Sequence, residues 1–368
     1  MDVMNFYTDP AVIRSSVEKV KNAARDFRNQ HQRVPVIMEV CGSHTMAFAR
    51  SGIKTALKDD VNLIAGPGCP VCVTDQKAID AMIGLAGKQD TILCTFGDMM
   101  RVPGSRRSLV DARTEGKDVR VVYSPVDSVT IAERNPEKEV VFLGIGFETT
   151  IPLLAMAVRK AERLNLKNYS VWMTTKLVEP VLRTLLDSGE AEVDGFLLPG
   201  HVSVVSGEKS YRFLTAEYGL PGVITGFEPV QLLSGTYKLV RMLREGKHAV
   251  VNDYRSVVGQ SGNQIAQSLM TTYFTFSDEE WRGMGAIPAS GLVLKEAYAA
   301  FDAKRRFNVT VPPQRKTACR CGEIIKGRIA PEDCALFGKG CTPVNPVGPC
   351  MVSTEGTCAA HYQYMREE

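Results

Sequence analysis

One pattern recurs through the first two-thirds of the chain and leaves few folds open. A short apolar run stops at a turn, most often glycine-bearing, and a stretch with helical spacing of apolar residues follows. The runs over 34–40, 63–65, 91–95, 140–145, 195–198 and 222–225 end at Cys41-Gly42, Gly66-Pro67-Gly68, Phe96-Gly97, Gly146-Phe147, Pro199-Gly200 and Gly226-Phe227. Short runs without polar alternation suit strands covered on both faces, and strands alternating with helices build parallel sheets. The expectation is α/β: two related parallel-sheet domains, 1–145 and 146–255. Their kinship rests on Gly146-Phe147-Glu148 and Gly226-Phe227-Glu228, which place the same turn between strand and helix; chance explains so short a match equally well. Residues 256–368 read as a return segment and then, after Pro312-Pro313, a small loop-rich C-terminal module with too few apolar residues to hold itself together.

Charge excludes some partners. The 368 residues carry a net charge of +3, which offers no electrostatic case for nucleic acid or a membrane surface. Met1–Pro10 is polar and lacks an apolar signal core. No apolar run approaches the roughly 20 residues of a membrane span. A cytoplasmic protein is expected.

Cysteine placement carries the chemistry. Of ten cysteines, Cys41, Cys69, Cys72 and Cys94 lie in the first third, and Cys319, Cys321, Cys334, Cys341, Cys350 and Cys358 crowd into the last 50 residues. In a reducing compartment such thiols argue for metal or redox chemistry at two sites. Cys69 and Cys72 form a C-x-x-C turn between a strand and a helix, where unpaired N–H groups favour a thiolate. Both sulfurs then reach one metal, or each other. Cys41 also closes a strand, at the edge where ligands bind in open parallel sheets. Cys94 closes a strand with no second thiol at useful spacing and reads as structural. In the tail, Cys321, Cys334, Cys341 and Cys358 give C-x12-C-x6-C-x16-C. A four-thiolate site follows, holding an iron–sulfur cluster or zinc, with Cys319 and Cys350 extra.

Other polar residues stand at strand ends. Glu148, His201 and Glu228 are placed for a ligand or for capping the next helix, His201 foremost because Pro199-Gly200 leaves it at the mouth. Asp98 and Arg101 read as an ion pair within one loop. Gly144-x-Gly146 lacks the third glycine of a dinucleotide fingerprint. No Walker sequence and no C-x3-C-x2-C run occurs.

Together Cys41-Gly-Ser-His-Thr45, Gly66-Pro-Gly-Cys-Pro-Val-Cys72, Thr95-Phe-Gly-Asp98, Gly146-Phe-Glu-Thr149, Pro199-Gly-His-Val-Ser203 and the C-terminal cysteines resemble the HypD family of hydrogenase maturation factors, from about Ile37 to Tyr364. The resemblance implies a scaffold for the Fe(CN)2CO group of nickel–iron hydrogenases, with two α/β domains and a [4Fe-4S] module. It implies a small HypC-type chaperone that shares the iron through its N-terminal cysteine. Cyanide would come from HypF and a HypE-type donor, and the product would pass to the hydrogenase large subunit. Carried over by motif, Cys41 is the iron thiolate, Cys69 and Cys72 are the redox-active or iron-binding pair, and Cys321, Cys334, Cys341 and Cys358 hold the cluster.

The chemistry suggests further roles. Soft thiolates suit iron carrying cyanide and carbon monoxide. His44 either takes the Cys41 proton or hydrogen-bonds a cyanide, or it simply caps its turn with Ser43 and Thr45. The Cys69/Cys72 dithiol would relay electrons between cluster and iron, which requires the tail to fold back over Cys41 and Cys72. Glu355 then lines the site or stays a solvated surface residue. The rival from another class is a thiol–disulfide oxidoreductase with a structural zinc in its tail; a third reading is an interaction platform without a redox step.

Overall fold

The computed structural model describes residues 6–314 and 317–366. Two parallel sheets dominate it, as the short apolar runs require. The first has strand order β2-β1-β7-β8-β9, from Asn62–Ala65, Val36–Glu39, Gly195–Pro199, Gly222–Thr225 and Val250–Asn252. The second has order β4-β3-β5-β6, from Val119–Val121, Thr91–Thr95, Glu139–Gly144 and Tyr169–Met173. Every neighbouring pair in both is parallel.

The topology departs from the linear division at residue 145. The chain lays down β1 and β2, leaves to build the whole second sheet, and returns with β7 beside β1, where Ile37 pairs with Gly195. The first domain is therefore discontinuous, and the second is inserted into it. Periodicity shows where strands are and says nothing of which strands become neighbours, so a linear reading merges the two.

Alternation along β1 shows how the layers pack. Ile37 faces a core with Val20, Leu197 and Leu232, beneath the helices Pro10–His31 and Pro229–Arg244. Met38 and Val40 face the opposite way, into a larger core shared with Leu93, Val141 and Leu143 of the second sheet. The outer face of the second sheet packs Ile92, Val140 and Phe142 against the helices Pro125–Arg134 and Ile151–Arg163. The shared middle core also takes in Cys69, Cys72 and five of the tail cysteines. The tail lacks a core of its own and borrows this one, as its composition requires.

After the first sheet closes, an antiparallel hairpin, β10 (Phe274–Trp281) with β11 (Gly285–Leu294), reaches across. This regular element lies in the return segment. Its alternation is broken by a register shift between Ser277 and Glu279. No helix among the described residues is long and apolar enough to cross a membrane.

Candidate functional site

Strand order picks out one crevice in each sheet. In the first, the chain runs from β1 outward to β2 and from β7 outward to β8 and β9, so the direction reverses between β1 and β7. Ligands bind at such switch points, beyond the carboxyl ends of the strands. Cys41 follows β1 and His201 follows β7. The second sheet reverses between β3 and β5, followed by Asp98 and by Glu148.

Cys41 is the N-cap residue of the helix Gly42–Arg50, its backbone extended at φ −150°. The N–H groups of His44 and Ser43 and the Ser43 hydroxyl favour a thiolate there. Burial outweighs them and, with the charge of Glu355, pushes the thiol up to about 12. Cys41 therefore rests as a thiol.

The C-x-x-C loop lies against this turn. Gly42 N donates to Gly68 O at 3.1 Å. A Cβ on Gly68 would fall 2.5 Å from Cys41 N and 2.6 Å from Cys41 Cα, so only glycine lets the two cysteine turns touch. Cys69 caps the short helix Pro70–Val73, its sulfur accepting from Cys72 N at 3.2 Å, and the two cysteines form a disulfide with Cα atoms 5.3 Å apart. The hairpin holds this helix from behind. Arg282 N donates to Val73 O at 2.8 Å, its Nε donates to Thr74 O at 3.0 Å, and Trp281 bridges Thr74.

The tail does fold back over both cysteine turns. Ser43 Oγ donates to Glu355 Oε1 at 2.5 Å. A Cβ on Gly42 would fall 2.5 Å from Glu355 Cβ, so this glycine too permits a close approach. Asp98 Oδ2 accepts from Ser353 Oγ at 2.9 Å and from Thr354 N and Oγ1, each at 3.2 Å. Arg101 donates to Pro343 O. The expected pair of Asp98 with Arg101 is thus replaced: both clamp the tail. Glu355 is partly buried and hydrogen-bonded rather than solvated, and desolvation raises its pKa despite the Ser43 bond.

The histidines separate. His44 is fully buried; its Nε2 lies 3.1 Å from Gly226 O and its Nδ1 has no partner. Burial lowers its pKa to about 4, so the imidazole is neutral, with Nε2 as donor to the carbonyl. His201 is exposed at the mouth and stacks on Phe227 at 3.9 Å, with His44 4.7 Å away on the same ring. Glu228 starts the helix Pro229–Arg244, whereas Glu148 Oε1 accepts from Val178 N at 2.9 Å, capping a helix further on. Its Oε2 is buried without a partner, and burial pushes the carboxyl up to about 7. Cys94 is wholly buried, as its isolation suggested.

In the tail, Cys321 Sγ and Cys350 Sγ are 2.8 Å apart. Cys341 Sγ accepts from Val347 N at 3.3 Å. Cys334, Cys341 and Cys358 are buried; Cys319 is half-buried. Among the described residues, no three Cys, His, Asp or Glu side chains converge on a single ion. The sulfurs instead form a spread set beside Met351, Phe337 and Tyr362, a dry shell of the kind a thiolate-held cluster needs. The short helix Pro349–Met351, which carries Cys350, packs on the helix Pro70–Val73. Sequence reasoning missed this pairing and the clamps at Asp98 and Arg282. Spacing alone carries no sign of them, because the partners lie far apart in the chain.

The sequence is similar to known proteins along nearly its whole length. Residues 11–365 match the model of a family described as HypD, "Hydrogenase formation hypA family". The chain is 43% identical to the hydrogenase maturation factor HypD of Rhodobacter capsulatus, over 97% of each chain. It is 44% identical to that of Azotobacter vinelandii, over 100% of this chain and 98% of the relative. With the Escherichia coli (strain K12) protein the identity is 40%, over 100% and 99%.

Proposed function

The chain belongs to the HypD family of hydrogenase maturation factors, and from that premise we propose that it is the scaffold on which the Fe(CN)2CO group is assembled. One observation carries the reading: the Cys41 turn, the Cys69/Cys72 loop and the sulfur-rich tail meet at one sheet edge, with Gly68 against Cys41 and Glu355 against Ser43. Iron is the cargo. Cys41 supplies one soft thiolate and the N-terminal cysteine of a HypC-type chaperone supplies the other, so separating the partners breaks a bond and frees the product. A HypE-type donor brings cyanide to the same mouth. The Cys69/Cys72 loop touches both the Cys41 turn and the tail helix that carries Cys350, which suits the pair to relay electrons. His44, neutral and bonded to Gly226 O, acts by presenting a bare Nδ1 acceptor instead of a charge.

The tail fits a [4Fe-4S] cluster by its soft donors, its dry shell and the N–H···S bond to Cys341. Such a cluster supplies single electrons. The family resemblance gives it Cys321, Cys334, Cys341 and Cys358. The 2.8 Å approach of Cys321 to Cys350 supports another set, in which those two form a second dithiol and Cys319 replaces Cys321 beside Cys334, Cys341 and Cys358.

Anaerobic infrared spectroscopy of the protein purified with its small chaperone tests the proposal. Bands of iron-bound cyanide and carbon monoxide are expected, and Cys41→Ser should abolish them. A colourless, zinc-containing protein that reduces insulin disulfides unaided would establish the rival oxidoreductase, to which the Cys69–Cys72 disulfide is equally suited.

A further inference from the structure

One sizeable cavity does not open onto Cys41. It is a groove of about 710 Å³ whose lining includes Cys319 and Cys321 and no residue of the Cys41 turn. Cys319 is the only free cysteine among the described residues that is not buried. Gly348 keeps its place open, since a Cβ there would fall 2.6 Å from Cys319 Sγ. The tail's sulfur therefore has a door of its own, away from the mouth where iron is held.

The walls of this door are basic. Arg282, Arg320 and Lys326 line it, against one acidic residue, Glu323. Arg320 pairs with Glu323, and Lys326 pairs with Glu190 beyond the lining. Arg282 differs: its guanidinium bonds to Thr74 O and Gln76 Oε1, which carry no charge. Its positive charge thus faces the groove bonded only to neutral acceptors. The same residue grips the end of the C-x-x-C helix through Thr74 O.

Resting on the reading of the tail as an iron–sulfur module, we infer that this groove is the electron entry port, docking an acidic one-electron carrier protein. Arg282, Arg320 and Lys326 attract the carrier's carboxylates and steer it to the half-buried Cys319. In each encounter the carrier's reduced centre loses one electron and the tail's iron–sulfur site gains it; no bond or proton need change hands. Cargo and electrons would then use different faces, so a bound chaperone at Cys41 would not obstruct reduction. Charge complementarity of this kind chiefly raises encounter rates and makes them salt-dependent.

The test uses the full-length protein, purified anaerobically, with a photoreduced acidic ferredoxin as the probe. Binding and the second-order reduction rate are measured at low and high salt, for wild type and for Arg320→Glu/Lys326→Glu. Arg282→Gln, which retains hydrogen-bonding capacity, serves as a milder second variant. Iron and sulfide content, and reduction by the small cation radical of methyl viologen, report whether the tail remains intact. The expected result is a rate that falls with salt and drops about tenfold or more in the double charge reversal, with viologen reduction not slowed. Equal ferredoxin binding and reduction in wild type and both variants would overturn the port. Absence of iron and sulfide from wild type would instead overturn the cluster reading; salt-sensitive ferredoxin binding, lost in the variants, would then decide the docking surface alone.

Discussion

Ser43 Oγ donates a 2.5 Å hydrogen bond to Glu355 Oε1 across 312 positions of sequence. It fastens the tail to the first turn of the helix that presents Cys41. The carboxylate charge also counts among the causes of the raised Cys41 pKa, after burial. Glu355→Gln keeps an acceptor and removes the charge, so alkylation of Cys41 by iodoacetamide at fixed pH should become several-fold faster with the tail still docked. Glu355→Ala removes the latch as well, at a cost of about 1–2 kcal/mol, and should expose the 353–355 loop to limited proteolysis. Unchanged alkylation in both variants would remove Glu355 from the site.

Gly68 permits the contact between the two N-terminal cysteine turns. A methyl group there meets Cys41 backbone atoms at 2.5 and 2.6 Å, which no rotamer change relieves. Gly68→Ala should lower stability by about 1–3 kcal/mol and displace the C-x-x-C loop. Thermal unfolding reads the first effect; the rate of disulfide formation between Cys69 and Cys72 reads the second.

Glu148 gives a pH signature. Its folded-state pKa is raised from 4.5 to about 7 by burial, so the native state holds this proton more tightly than the unfolded chain. Its contribution is complete below pH 4.5 and is lost as pH rises through about 7. Glu148→Gln keeps the acceptor for Val178 N and cannot ionise. Relative to wild type it should gain of order 3 kcal/mol between pH 4.5 and pH 8. Denaturant unfolding of both proteins across this range measures the difference, and parallel curves would contradict it.

The tail thiols are separable by substitution. If Cys321 and Cys350 pair with each other, Cys321→Ser and Cys350→Ser should retain iron and sulfide, while Cys319→Ser, Cys334→Ser, Cys341→Ser and Cys358→Ser should lose most of both. The opposite outcome for Cys319 and Cys321 would restore the ligand set implied by the family resemblance. Anaerobic metal analysis with visible absorption decides it.

His44 was a candidate proton acceptor, and its surroundings narrow that role. A neutral imidazole with a pKa near 4, donating to Gly226 O, takes up no proton at physiological pH. His44→Ala should cost about 2–4 kcal/mol through the cavity beside Phe227 and the unpaired carbonyl. The pH profile of Cys41 alkylation should keep a single step.

The amino-acid sequence by itself determined the local events: apolar runs as strands, glycine turns after them, and Cys41, Cys69 and His201 at strand ends. Periodicity, turn chemistry and capping act over a few residues, so each can be read from its own stretch. Only the tertiary structure decided that β7 lies beside β1, that the second sheet is inserted within the first domain, that Asp98 and Ser43 clamp the tail, and that Cys321 meets Cys350. These contacts join positions far apart in the chain. Their partners are chosen by which faces pack together and which residues are small enough to let backbones touch, as Gly42 and Gly68 are, and no local spacing encodes that choice.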